Sequence, residues 1–125
     1  MQASEEFIFG EATAWEDVGP GLKRQVMGYD DKIKLVKVDF QPAAVGQLHE
    51  YNHRQVTYGE SEVFEMTIGD EMRTIRDGEA YYVPPHLLHG CVCSEAGVLI
   101  DVFSPTGRTV WLLRPHIAPL QPEKF

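Results

Sequence analysis

Short runs of alternating apolar and polar residues, each closed by turn residues, set the pattern of this chain. The runs Lys32 to Phe40, Val63 to Ile68, Ala80 to Val83 and Val98 to Phe103 are rich in Val, Ile, Phe, Tyr and Thr. The breaks carry Tyr29-Asp30-Asp31, Gly69-Asp70, Asp77-Gly78, Pro84-Pro85, Glu95-Ala96-Gly97 and Pro105-Thr106-Gly107. Gly allows positive φ, Pro fixes φ, and an Asp side chain can bond the backbone just ahead of it, so these are turn positions. Short strands at spacings of about 8–12 residues predict an all-β sandwich or barrel. No stretch repeats its apolar residues at the helical period.

Within Lys32 to Phe40 the apolar phase changes. Ile33 and Leu35 share one face, while Val36, Val38 and Phe40 share the other. Either a bulge inserts one residue, or the strand is partly covered on both faces. Further on, Pro115, Pro119 and Pro122 break any regular element. Trp111, Leu112 and Leu113 still need burial there, on this subunit or on a second one. No repeat, low-complexity tract or linker divides the chain. Residues 1–125 therefore read as one domain with a Pro-rich tail over 109–125.

With 125 residues, 43% of them hydrophobic, the chain can build a core. Its 11 Lys plus Arg stand against 19 Asp plus Glu, a net charge of -8. Nucleic acid is not an expected partner, because phosphate recognition needs clustered positive charge. A small anion remains compatible, since one local Arg outweighs a distant field. No apolar run approaches the roughly 20 residues that span a bilayer. The acidic start, Met1-Gln2-Ala3-Ser4-Glu5-Glu6, lacks the basic and apolar parts of a signal peptide. No membrane association and a cytoplasmic location are expected. Cys91 and Cys93 lie one residue apart, where a disulfide would be strained, so they read as reduced thiols.

Polar residues on faces that should be apolar carry the chemistry. Read as a strand, His49 to Gln55 sends His49, Tyr51, His53 and Gln55 to one face and Glu50, Asn52 and Arg54 to the other. An inward His or Gln needs a hydrogen-bond partner or a metal. Tyr82 to Gly90 contains a Pro-Pro turn that delivers His89 to the start of a strand. Imidazole suits Zn, Ni, Cu and Fe, and a Gln oxygen is a weaker, neutral ligand. His86 reads as an exposed turn residue and His116 as structural. Asp101 interrupts an apolar strand and shares a face with Leu99 and Phe103. It is an edge residue, one half of a structural ion pair, or a proton-transfer carboxylate facing a ligand. Arg108, just after the next turn, is either a solvated side chain or a clamp for a substrate carboxylate.

These residues resemble the cupin motifs. The first motif of that family matches from His49 to Gln55, followed by Ile68-Gly69-Asp70-Glu71. The second runs from Gly78 through Pro84 to His89. The resemblance covers about Lys23 to Phe103, and it implies a double-stranded β-helix (jelly-roll) barrel, a homodimer, and a metal inside. The chain is more specifically similar to the small pectin-degradation cupins of the KdgF type. That similarity takes in Trp15-x-x-Val18-Gly19, Gly21 to Met27, Phe64 to Glu71, Pro84-Pro85-x-x-x-His89-Gly90-Cys91, and Glu95 to Phe103.

What the resemblance implies is an enzyme that opens the ring of 4,5-unsaturated monouronates, released from pectin or alginate, to a linear keto acid. Its substrate would be a small anionic sugar acid. One divalent metal ion (Zn, Ni, Mn or Fe) would be held by His49, Gln55 and His89. Asp101, Phe103 and Arg108 would complete the site, although the spacing to Arg108 is one residue longer than in the family. Tyr51 stands where the family has its second ligating His. It either binds as a phenolate, which favours a harder ion, or swings away and leaves the place to His53 or water. Two other readings stay open: another metal-dependent cupin enzyme (oxygenase or isomerase), or a non-catalytic small-acid binder with a degraded metal site.

Overall fold

Alternation of side chains becomes two antiparallel sheets. The computed structural model describes residues 3–49 and 53–104, with 47–49 described through their backbone alone. The strands are β1 (Glu16–Gly19), β2 (Leu22–Tyr29), β3 (Lys34–Phe40), β4 (Val45–His49) and β5 (Arg54–Ser61), then β6 (Val63–Ile68), β7 (Glu71–Arg76), β8 (Ala80–Val83), β9 (His89–Cys93) and β10 (Gly97–Ser104). One sheet has the order β1-β2-β3-β10-β5-β8 and the other β4-β9-β6-β7. A single 3₁₀ turn covers Gly10–Ala12. The chain folds as the expected cupin jelly roll. No helix among the described residues is long and apolar enough to cross a membrane.

Local chemistry explains the joints. Asp30 accepts hydrogen bonds from the backbone N–H groups of Lys32 (2.8 Å) and Ile33 (3.1 Å), which closes the β2–β3 turn. Gly69 takes a φ of 63° between the paired Ile68 and Glu71, where a two-residue hairpin favours glycine. Gly97 is required by space. A Cβ there would lie 2.9 Å from the Ser61 carbonyl oxygen and 3.0 Å from the Phe64 ring.

The inner faces change character along the strands. At one end, Val38, Phe40, Phe64, Met66, Cys91, Cys93 and Leu99 form the core. The Phe40 and Phe64 rings join the two sheets edge to face, with centroids 5.0 Å apart. Both cysteines are buried and free, as expected. Toward the other end the inward positions turn polar: Lys34, His53, Gln55, Thr57, His89 and Asp101 are all buried. Burial of so many polar groups at one end marks it as the place to look for a site.

Two expectations change. The β3 strand begins at Lys34, and Ile33 lies before it, 52% exposed. Leu35 is half-buried on the outer face, so β3 is covered on both sides without a bulge. The bulge sits next door in β2, between Val26 and Gly28. The segment from His49 to Gln55 is not one strand either. The chain leaves the smaller sheet at His49 and enters the larger one at Arg54. The alternation read from the sequence runs across a passage from one sheet to the other. The tail over 109–125 lies outside the described residues.

Candidate functional site

Strand register assembles the polar end in rows. On the larger sheet Phe103 stands between Lys34 and Gln55. One rung deeper, Asp101 stands between Val36 and Thr57, and Thr57 is in turn opposite Tyr81. One rung deeper still, Leu99 stands between Val38 and Gly59, where the apolar core begins. The strict alternation of β10 thus turns Asp101 and Phe103 inward together, as their shared face with Leu99 predicted. Asp101 is no edge residue: it is only 4% exposed.

Gln55, Thr57 and Asp101 form a directed chain of hydrogen bonds. The Thr57 hydroxyl donates to Asp101 Oδ1 at 2.6 Å. It accepts from Gln55 Nε2 at 2.8 Å, and the same amide nitrogen lies 3.4 Å from Asp101 Oδ1. A carboxylate can only accept, so the direction runs from Gln55 through Thr57 to Asp101. This order fixes the amide with its nitrogen toward the carboxylate and its oxygen facing away.

His89 is oriented from the other sheet. The turn before β9 is pinned by a backbone bond from Gly69 to the Leu88 carbonyl (2.7 Å). His89 Nδ1 lies 3.0 Å from the Leu87 carbonyl oxygen. A carbonyl accepts, so the proton of the neutral ring sits on Nδ1 and the lone pair on Nε2. Backbone register sets His49 directly opposite His89 in the β4–β9 ladder, a placement that brings Cβ atoms to about 4.5–5.5 Å. A small cavity between the sheets is bounded by Gln55, Tyr81, His89, Cys91 and Asp101 among others. His53 sits at the bend leading into β5 and stacks on Phe103, with centroids 4.7 Å apart and planes 19° off parallel.

The burial has electrostatic consequences. Asp101 is pushed up to about 6 by desolvation, against the stabilising bonds from Thr57 and Gln55. That places a carboxyl near the range useful for proton transfer at neutral pH. His53 is pushed down to about 4 by burial, with His89 and Lys34 adding to the effect. Burial also lowers His89, with the Leu87 bond opposing it. Both imidazoles are therefore neutral at pH 7, as metal ligands must be. Tyr81 is pushed well above its ordinary value by burial and by Asp101, so it stays a phenol. The Cys91 thiol is pushed up by burial and by Asp101, which leaves it inert as a nucleophile.

Imidazole and amide oxygen are donor types that borderline divalent ions accept. His89 and Gln55 line the same cavity, and His49 lies across the ladder from His89. Among the described residues no group of three His, Cys, Asp or Glu converges on one point. Tyr51 and Arg108 lie outside the described residues, and so does the side chain of His49. His53 is engaged with the Phe103 ring. The sequence reading missed Thr57 and Lys34. Thr57 continues the inward phase of His53 and Gln55, and Lys34 that of Val36, Val38 and Phe40, so both signals were present.

No family model matches the chain. The pectin degradation protein KdgF of Dickeya dadantii (strain 3937) is 37% identical over 101 residues, which span 79% of this chain and 92% of that protein. An RmlC-like cupin from Shewanella frigidimarina NCIMB 400 superposes with a TM-score of 0.83 at 42% identity, covering 85% of this chain and 96% of that one. The structure of KdgF from Halomonas sp. gives a TM-score of 0.79 at 32% identity, covering 83% and 96%. The jelly roll, the polar row beside His89 and these likenesses lead to one assignment: the chain belongs to the KdgF-type cupins.

Proposed function

We propose that this protein is an enzyme of pectin breakdown that opens the ring of a 4,5-unsaturated monouronate to a linear keto acid. Likeness to a pectin degradation protein supports a substrate derived from pectin. The observation that carries the reading is the directed chain Gln55–Thr57–Asp101, ending in a buried carboxyl at the cavity that His89 also bounds. His89, Gln55 and His49 would hold one divalent metal, with Tyr51 the candidate for a fourth ligand. Such an ion, when bound, acts as a Lewis acid on oxygen ligands.

Residues of this chain would do the rest. Asp101, protonated part of the time near neutral pH, gives a proton to C4 of the enol ether while water adds at C5. The product is a hemiketal at C5. The C5–O bond to the ring oxygen then breaks, the ring oxygen takes up the proton released by the added water, the C5 hydroxyl proton returns to Asp101, and the ketone remains. The ring oxygen stays on C1 as a hydroxyl beside the anomeric one, and loss of water from this hydrate leaves the aldehyde, so the linear keto acid is an isomer of the substrate. Thr57 and Gln55 hold Asp101 in place during both transfers. Phe103, backed by the His53 ring, forms an apolar wall for the sugar. Arg108 is the candidate for binding the carboxylate.

The test is turnover. The metal-loaded protein is mixed with 4,5-unsaturated galacturonate, and loss of the enol-ether absorbance is followed beside a blank. Faster loss, with the keto acid seen by NMR, supports the reading. A rate equal to the blank with every divalent metal tried would overturn it. Oxygen consumption would point instead to an oxygenase.

A further inference from the structure

Lys34 is the buried charged group that the mechanism above does not use. It opens β3 and is only 4% exposed. Lysine is almost never buried to this degree without a partner, because desolvating an ammonium is costly. Among the described residues no carboxylate lies within 4.0 Å of its nitrogen. Glu16, whose charge Lys34 feels, holds Arg24 at 2.7 Å, and Asp101, one rung deeper, takes the Thr57 hydroxyl. The Lys34 ammonium faces an aromatic ring instead. The ammonium stands 6.0 Å from the centroid of the Phe103 ring, at the far limit of a cation–π contact.

Position gives the charge a use. Lys34 shares its row with Phe103 and Gln55, and Asp101 lies one rung deeper. Arg24, Glu16 and the His53 ring lie close enough to Lys34 for the charges to interact. Lys34 is thus a buried positive charge in a chain of net charge -8. A fixed positive charge in a low-dielectric wall attracts an anion far more strongly than the same charge on the surface.

We propose that Lys34 grips the carboxylate of the ligand, beside the Phe103 wall and on the same row as Gln55, as a cation additional to the candidate Arg108. The ligand class, a small carboxylate carried on a sugar ring, rests on the uronate reading. Lys34 acts as a positioning and selectivity residue: it admits acids and gives no binding to their neutral counterparts. An ammonium needs only a point contact, so it can hold the acid end while the ring is reoriented during opening.

The experiment compares the full chain with its Lys34→Met and Lys34→Arg variants. Calorimetry measures binding of D-galacturonate and of its neutral methyl ester, and steady-state kinetics measures the unsaturated uronate. In Lys34→Met, galacturonate should bind about tenfold or more weakly, the loss typical of a charged hydrogen bond. Methyl ester binding should not change, and KM should rise with kcat within a few-fold. Lys34→Arg should recover most of the affinity, which a merely structural role would not predict. Equal binding of galacturonate by wild type and Lys34→Met would overturn the inference, as would wild-type protein that does not distinguish acid from ester. Turnover with unchanged KM in Lys34→Met would sink the Lys34 role and leave the enzyme reading standing. Lys34-dependent binding of galacturonate without turnover would do the reverse.

Discussion

Replacing Thr57 with valine removes one oxygen and keeps the shape of a fully buried side chain. No cavity opens, so the effect isolates the hydroxyl. Two hydrogen bonds disappear, at 2.6 Å to Asp101 and 2.8 Å from Gln55. The first goes to a carboxylate, a class worth about 1.5–3 kcal/mol when one partner is lost. Asp101 then keeps only the long 3.4 Å contact from Gln55. Thr57→Val should therefore cost about 2 kcal/mol of folding free energy, read as a lower urea midpoint with an unchanged slope. Because Gln55 loses the acceptor that fixes its amide, metal affinity should fall about 10–100-fold, as for other supports of metal ligands. Thr57→Ser keeps the hydroxyl and should recover the metal affinity. Metal binding and a urea midpoint equal to wild type in Thr57→Val would show that the chain Gln55–Thr57–Asp101 does not orient the site.

Two further predictions test other parts. Lys34 is pushed down from 10.5 to about 8, first by burial and then by Arg24, with Glu16 opposing. Below pH 8 it is charged both folded and unfolded, so the fold bears the full penalty. Between 8 and 10.5 the unfolded chain binds the extra proton, and the penalty fades as pH rises. Lys34→Met should thus be more stable than wild type at pH 7, by at most about 3 kcal/mol, and the gap should close by about pH 10.5. A gap that widens with pH would contradict the burial argument. Separately, a divalent ion supplied at about 100 times its Kd should raise the unfolding free energy by about 2.7 kcal/mol. A chelator should reverse that gain, and His89→Ala should abolish it. The same metal-induced gain in His89→Ala would remove His89 from the ligand set.

Much of this was legible because β10 keeps strict period two. Leu99, Asp101 and Phe103 had to share a face, and the structure puts all three inside. The Pro84-Pro85 turn likewise placed His89 at the first residue of β9. The crossing between His49 and Gln55 was not legible, because alternation carries no mark of which sheet a residue belongs to. Thr57 was overlooked because threonine suits either face of a sheet, so its inward phase raises no alarm. Lys34 was overlooked for another reason. Preceded by Lys32 and Ile33, it reads as the polar end of a strand although it keeps the phase of Val36, Val38 and Phe40, and the register with Phe103 puts it inside.

The most direct measurement is turnover of 4,5-unsaturated galacturonate by Asp101→Asn, beside its metal content. Asparagine keeps the shape and can still accept the Thr57 bond, but it cannot carry a proton. The account predicts full metal loading, a wild-type fold, and a rate lower by about 10²–10⁴-fold. A metal-loaded Asp101→Asn protein that opens the ring at the wild-type rate would contradict it.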